Sequence, residues 1–212
     1  AAGATLTVEP GVEVRFARYT RLQVDGTLLA VGTAAQPITF TGALTTPTPG
    51  WWAGLYVYGG AASARLDYVT VAYGGYGLNG NVELYSDSVV TLTHSVIRNG
   101  SQDGVYASSG AVAHISDSRI TGNAGYALEY ADGSVNPQLS NLTVSGNGTD
   151  AIVFGSGDLS GARVWKNLGL PYIMTGNQNV ESGATLTVVP GVEVRFARYT
   201  RLQVDGTLLA VG

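Results

Sequence analysis

Bulky aliphatic residues recur along the middle of the chain in pairs that lie five residues apart. The pairs are found in LDYVTVAYGG from Leu66, LTHSVIRNGS from Leu92, ISDSRITGNAG from Ile115, LSNLTVSGNGT from Leu139 and LSGARVWKNLG from Leu159. The second members of the pairs are Val71, Ile97, Ile120, Val144 and Val164. Successive first members are 26, 23, 24 and 20 residues apart, and polar or small residues prevail between the two members. A period of this length predicts that each turn of chain buries its apolar face by stacking on copies of itself.

A second row of apolar residues follows these motifs and alternates with polar residues. Its members begin the runs at Leu55, Leu78, Val105, Leu128 and Ile152. Alternation with a period of two is typical of strands that have one buried face, and no window sustains a helical period. The pattern therefore predicts an all-β solenoid of about nine coils, in which each strand pairs in parallel with its equivalent one turn away.

Asparagine stands three residues after the second aliphatic member in three of the motifs, at Asn123, Asn147 and Asn167. Asparagines stacked along the solenoid axis can satisfy one another's side-chain amides. The alternative is that asparagine is simply common in turns.

The passage GATLTVEPGVEVRFARYTRLQVDGTLLAVG at residues 3–32 returns at residues 183–212 with one difference, Glu9 against Val189. A solenoid coil contacts only its neighbours, so a later coil can repeat the first. We interpret residues 1–212 as a single domain made of one 180-residue module, residues 3–182, and the first part of the next, residues 183–212. A natural tandem array or a designed copy would each produce this arrangement. About eight coils per module would give a rise of ~38 Å, with both passages in the same place within their turns.

The opening TLTVEPGVEVRFARYTRLQVDGTLLAVGTAAQPITFTG resembles the start of bacterial right-handed parallel β-helix repeat proteins of pectate-lyase-like architecture. The later LxxSxIxxNxG coils are similar to the short repeats of the same family. The resemblance implies a right-handed β-helix and a secreted or cell-surface location. It does not imply one function, because this fold carries enzymes, tailspikes, adhesins and stalks.

Composition narrows the choice of partners. Only 12% of residues are charged, the net charge is -4 and there is a single lysine, so we expect no nucleic-acid partner. The chain has no cysteine, and no apolar run is long enough to predict a membrane span.

Motifs for catalysis are absent. The Asn-Thr-Asp, Asp-Asp and Gly-His-Gly segments of polygalacturonase-like sites do not occur, and neither does the Asp-Pro-His segment of related epimerases. Two acidic pairs, Glu129 with Asp132 or Asp103 with Glu129, could be arranged like a glycosidase pair. We expect no enzyme, no metal, no cofactor, and solvated surface positions for His94 and His114.

Aromatic residues offer a candidate contact surface. It consists of Trp51, Trp52, Tyr56, Tyr106, Glu129 and Tyr130. The tyrosines lie beside the second apolar row, where rigid rings can stack on sugar faces. The segment TTPTPGWW should form a protruding loop, with at least one tryptophan folded back over the core.

The sequence favours a structural module of a tandem-repeat extracellular protein: a stiff stalk, filament or adhesin segment that associates end to end with copies of itself. The alternative is a β-helix that binds or modifies surface polysaccharide.

Overall fold

A computed structural model describes residues 3–210 and contains strands, turns and bends, with no helix in that range. Every strand pairing is parallel and joins strands of neighbouring coils. Sheets A and E together supply nine strands, one for each layer of the solenoid, as the sequence predicts.

Two sheets form neighbouring faces of the first six layers. Sheet A contains β1 (Thr5–Val8), β4 (Thr27–Val31), β7 (Ser63–Asp67), β10 (Val89–Thr93), β13 (Val112–Ser116) and β16 (Gln138–Ser140). Sheet B contains β2 (Glu13–Phe16), β5 (Ile38–Gly42), β8 (Val69–Ala72), β11 (Val96–Arg98), β14 (Arg119–Thr121) and β17 (Thr143–Ser145).

A third face, sheet C, runs from the first layer towards the last. It contains β3 (Arg21–Val24), β6 (Gly54–Tyr58), β9 (Gly80–Tyr85), β12 (Asp103–Ala107), β15 (Tyr126–Asp132), β18 (Thr149–Leu159), β20 (Tyr172–Met174) and β23 (Val194–Phe196). The end of β18 also starts sheet D, with β21 (Gln178–Val180) and β24 (Leu202–Val204). Sheet E contains β19 (Ala162–Trp165), β22 (Thr185–Val188) and β25 (Thr207–Ala210).

The aliphatic pairs identified in the sequence form stacked rows in the core. Leu66, Leu92, Ile115 and Leu139 are joined by strand register in sheet A, and all are buried. Val71, Ile97, Ile120 and Val144 follow one another in the same way in sheet B. Each layer thus places one aliphatic residue of each row directly on its neighbour, and this burial holds the coils together.

The last motif is displaced from these rows. Val164 is 53% exposed, whereas its neighbours Arg163 and Trp165 point inwards and are buried. Leu159 is buried but pairs with Val180 in sheet D rather than continuing the row of Leu139. The prediction for this motif was wrong because β18 continues round an extra corner before the next coil begins.

The predicted second row needs one correction. Leu55, Val105, Leu128 and Ile152 are connected through sheet C, but the member between Leu55 and Val105 is Val82. Leu78 lies instead in the loop that precedes β9. Extra residues in that loop shift the strand by four positions.

The corner between sheets A and B has the same backbone conformation in four successive coils. Tyr68, His94, Asp117 and Asn141 all have positive φ, between 47° and 53°. A left-handed residue turns the chain sharply, and three of the four residues at this corner, His94, Asp117 and Asn141, are of types that tolerate this conformation.

Stacked asparagines occupy the interior of another corner. Asn81 Nδ2 donates to Asn123 Oδ1 at 2.8 Å, and Asn123 Nδ2 donates to Asn147 Oδ1 at 2.9 Å. Asn147 Nδ2 in turn donates to Asp150 Oδ1 at 2.7 Å. We call Asn81, Asn123 and Asn147 the asparagine ladder. The predicted stacking is therefore found for Asn123 and Asn147.

Asn167 does not continue the ladder: it is exposed, and its side-chain oxygen accepts the Gly169 N–H.

The two copies of the repeated passage have the same internal strand register, but they lie on different faces of the solenoid. Thr5 pairs with Thr27, and Thr185 pairs with Thr207 in the same way. However, β2 lies in sheet B while its second copy, β23, lies in sheet C. Seven layers separate β1 from β22, one fewer than expected, because the early coils carry longer loops. The prediction of equal placement was therefore wrong, and the division into modules stays a prediction.

Candidate functional site

Polar and aromatic side chains alternate on the outer face of sheet C. Strand register aligns Gln23, Tyr56, Glu83, Tyr106 and Glu129 in one row across five neighbouring strands. Each lies between two inward-facing apolar residues of its own strand, which is why the row faces away from the core. Parallel strands bring such neighbours to within ~4.8 Å of one another at the backbone.

Tyrosine rings are in mutual contact on this face. Tyr85 lies between Tyr56, with ring centroids 6.0 Å apart, and Tyr106, at 5.8 Å. Tyr58 stacks on Tyr56 at 5.8 Å with an interplanar angle of 15°, and the Arg21 guanidinium lies 5.0 Å from the Tyr56 centroid. Neighbouring rings restrict one another's rotation, so this surface is largely preformed. We call Tyr56, Tyr85, Tyr106, Glu83 and Glu129 the tyrosine–carboxylate face.

Glu83 lies under the loop that precedes β9 and is 3% exposed. Its carboxylate accepts hydrogen bonds from the backbone and the side chain of Asn79. Burial raises the pKa of Glu83 above its ordinary value, and the hydrogen bonds from Asn79 and Gly80 oppose that shift. Burial, and then the charge of the same carboxylate, raises the pKa of the Tyr56 hydroxyl.

Asp103 and Glu129 form a carboxyl pair beside this row. Asp103 is 6% exposed, and one of its oxygens accepts the Tyr126 N–H at 2.7 Å. Burial, and then the hydrogen bond and charge of Glu129, raise the pKa of Asp103 well above its ordinary value. Because Asp103 is buried beside the carboxylate of the partly exposed Glu129, its protonated form is favoured.

Of the two acidic pairs suggested by the sequence, the structure brings together Asp103 and Glu129. Asp132 instead accepts hydrogen bonds from Ser108 Oγ and the Ser109 N–H at the next corner. Asp103 and Glu129 are close enough for Glu129 to raise the pKa of Asp103. A protonated carboxyl beside a carboxylate can donate to and accept from hydroxyl groups.

Two residues of the sequence-based contact surface are not on the surface. Trp52 is fully buried, stacks on Phe16 with ring centroids 4.1 Å apart, and donates from Nε1 to the Ala72 carbonyl at 2.8 Å. Tyr130 is also fully buried and packs 5.3 Å from Phe154, because it lies two residues after Leu128 and points to the same side of the strand. Both were wrongly assigned to the contact surface.

The remaining predicted contact residues are at least partly accessible. Tyr56, Tyr106 and Glu129 lie in the tyrosine–carboxylate face. Trp51 is half-buried at the base of its loop, where its Nε1 donates to the Phe16 carbonyl at 3.1 Å and Arg18 lies 5.6 Å from its ring. The loop therefore folds one tryptophan into the core and leaves the other at the surface.

Glu83 and Tyr85 were not assigned to the contact surface because the alignment used Leu78 for this coil. The alternation in NVELYS was the available signal: Val82 and Leu84 are buried, so Glu83 and Tyr85 between and after them face outwards. Across residues 3–210, no three His, Asp or Glu side chains are arranged to hold a metal ion. His94 is exposed and contacts Asp67 at 2.9 Å, away from this face.

Comparison with known families supports the fold. Residues 80–182 match the family model described as right handed beta helix region. The stacked parallel sheets continue on both sides of the matched segment, from β1 to β25. The chain therefore has the fold of a right-handed parallel β-helix.

No curated protein and no solved structure matches the chain. Among the described residues, no helix has the length and hydropathy required to cross a membrane.

Proposed function

We propose that the chain is a structural segment of an extended, extracellular or cell-surface β-helical rod, built by stacking coils end to end. The observation that carries this proposal is that one sequence passage occurs twice in the molecule. The following coil packs on the first copy, and the preceding coil packs on the second copy. Leu6 is 50% exposed in the first layer, whereas its copy Leu186 is fully buried on β19. Conversely, Leu28 is fully buried under the next coil, whereas its copy Leu208 is 39% exposed.

The two copies together describe a passage that buries apolar side chains on both its lower and its upper side. The second copy begins without a linker: β22 pairs with β19 below it and with β25 above it. A junction of this kind continues the rod through the repeat, so successive modules would form one stiff body rather than separate domains.

The strand edges at the two ends of the solenoid can pair with each other, because each end presents the side of a strand that the other end lacks. Within residues 3–210, β1, β2 and β3 have no partner strand on their outer side at one end, and the same holds for β23, β24 and β25 at the other. Unpaired parallel edges over an apolar cross-section associate readily, and a head-to-tail contact between unlike ends grows into an open filament.

We expect the purified chain to associate end to end as its concentration rises. Nine layers per chain correspond to particle lengths that grow in steps of ~43 Å. Leu208→Asp places a charge on the upper end and should reduce association by at least tenfold. Analytical ultracentrifugation gives the association constant, and negative-stain electron microscopy gives the lengths.

The matched control is Leu44→Asp, because Leu44 is also 39% exposed but lies on a lateral loop. This variant should associate like the parent chain. A chain that stays monomeric at every concentration, or an equal loss in both variants, would contradict end-to-end stacking.

A second candidate function is the binding of a polysaccharide on the tyrosine–carboxylate face. The specific observation is the row of contacting tyrosines, Tyr56, Tyr85 and Tyr106. Strand register places Glu83 between Tyr56 and Tyr106, and Glu129 on the other side of Tyr106. Rings stack on sugar faces, and carboxylates accept hydrogen bonds from hydroxyls. The negative charge of the face favours neutral or amino sugars over uronates.

For this candidate we expect a cello- or chito-oligosaccharide to bind, and an oligogalacturonate not to bind. Tyr106→Ala should weaken binding by about tenfold, the loss of one stacking contact. Tyr199→Ala is the control, since Tyr199 is 84% exposed at the end of the solenoid, away from this face. Isothermal titration calorimetry measures these affinities. Tighter binding of the oligogalacturonate, or an equal loss of affinity in both variants, would contradict polysaccharide binding on this face.

A further inference from the structure

The solenoid contains a cavity where the ladder of one face is interrupted. Sheet A ends at β16 and sheet E begins at β19, with no strand pairing between them. A cavity of about 210 Å³ opens there, between Leu139 below and Trp165 above, with Phe154 and Tyr172 among its apolar walls. A cavity of ~150 Å³ in another protein holds a benzene molecule, so this one has room for a ring that carries a small substituent.

Two cationic side chains line the same cavity, those of Arg163 and Lys166. Arg163 is 5% exposed. Its Nε donates to the Ser160 carbonyl at 3.0 Å, and its Nη1 donates to the Val135 carbonyl at 2.6 Å. A guanidinium has five N–H donors, and Nη2 has no acceptor among residues 3–210.

The carboxylates that act on Arg163 are those of Glu181 and Asp132, and neither forms an ion pair with it among the described residues. Within residues 3–210, no carboxylate lies within 4.0 Å of Arg163 or Lys166. Asp132 is nearby, but its oxygens are used by Ser108, Ser109 and Ser134. A buried cation with carbonyl partners alone is costly, and a bound anion would offset that cost.

Arg163 also stands where the fold uses aliphatic residues. It pairs with Leu186, the second copy of Leu6, and the equivalent inward position is Leu28 in the second layer and Ala64 in the third. Stacking of the coils does not require an arginine in this row, so we infer that Arg163 serves to bind a ligand.

We propose that this cavity binds a small organic anion in which a carboxylate is attached to a planar apolar body. The carboxylate oxygens accept hydrogen bonds from Arg163 Nη2 and Lys166 Nζ. The apolar body packs against the Trp165 and Tyr172 rings. An arginine fork matches a carboxylate in geometry as well as in charge.

The test uses benzoate as the probe and benzyl alcohol as its uncharged counterpart, each titrated into the ¹⁵N-labelled chain and followed by NMR. The chain has three tryptophans, and their indole N–H signals report on separate places. Trp51 and Trp52 are bonded to carbonyls far from the cavity, whereas Trp165 lines it. Benzoate should shift the Trp165 signal alone, with an affinity at least tenfold higher than that of benzyl alcohol.

Two variants locate the charge. Arg163→Gln should lower the affinity for benzoate at least tenfold and remove the preference over benzyl alcohol, since a charge-assisted hydrogen bond is lost. Lys166→Gln changes an exposed side chain and should leave the fold intact, so it tests the proposal even if Arg163→Gln unfolds the chain. It should weaken benzoate binding severalfold. An unmoved Trp165 signal, equal affinity for the two probes, or unchanged benzoate binding in Lys166→Gln would overturn the proposal.

Discussion

Replacement of Asn123 by alanine is expected to lower the free energy of unfolding by about 3–5 kcal/mol, because it leaves two buried donors without an acceptor. Asn123 Oδ1 accepts the Gly100 N–H at 2.9 Å and Asn81 Nδ2 at 2.8 Å. Its Nδ2 also donates to Asn147 Oδ1, so the substitution breaks the asparagine ladder in both directions. Water cannot replace these contacts readily, since Asn123 is 1% exposed.

Equilibrium unfolding in urea, monitored by tryptophan fluorescence, measures this loss. Asn167→Ala is the matched control, because Asn167 occupies the same place in its motif but lies exposed outside the ladder. It should change the free energy of unfolding by less than ~0.5 kcal/mol. Equal effects of the two substitutions would show that the ladder contributes no more than an ordinary turn asparagine.

Asp103 is expected to make the protein less stable as the pH rises. Burial and the contact with Glu129 raise the pKa of Asp103 to about 8, so the folded chain holds a proton that the unfolded chain has already released. The stability that Asp103 contributes should therefore be fully present below the ordinary pKa of the group and fall by about 1.4 kcal/mol per pH unit between that value and pH 8. Asp103→Asn keeps the acceptor for the Tyr126 N–H and removes this dependence. The difference in unfolding free energy between variant and parent should grow with pH.

Asp132→Asn provides a control of opposite sign. Although burial alone would raise it, the pKa of Asp132 is lowered by hydrogen bonds from Ser134, Ser109 and Ser108. The stabilisation from Asp132 is thus present above the ordinary pKa and lost as the pH falls through the lowered one. Urea unfolding at a series of pH values distinguishes the two. A parallel pH dependence for Asp103→Asn and the parent would show that Asp103 ionises normally.

The rows of the core were predictable from the sequence because a β-helix coil contacts only its neighbours. A residue such as Ile115 needs only Leu92 below and Leu139 above, and both are found at the period. The asparagine ladder follows the same rule for Asn123 and Asn147. Sequence reasoning failed where the coil length changed. The longer loop before β9 was not recognised, so Leu78 was assigned to the position in the row that Val82 occupies.

Burial of single side chains in the loops and at the strand edges was less predictable. Trp51 and Trp52 are adjacent in a loop without a period, and it is Phe16, 36 residues earlier than Trp52, that determines which ring is buried. The pairing of Asp103 with Glu129 was one of two arrangements open to the sequence. The choice between them depends on how two coils align in three dimensions.

The change of faces along the solenoid has a consequence for any larger assembly. Sheet B ends at β17 and sheet D begins at the end of β18, so β24, the second copy of β3, lies on sheet D rather than on sheet C. In an array of such modules, the next tyrosine row would start from that strand, one side further round. Side chains repeated on this face would therefore follow a helical path about the long axis of the rod. A partner lying on one side of the rod would then meet successive copies at different azimuths.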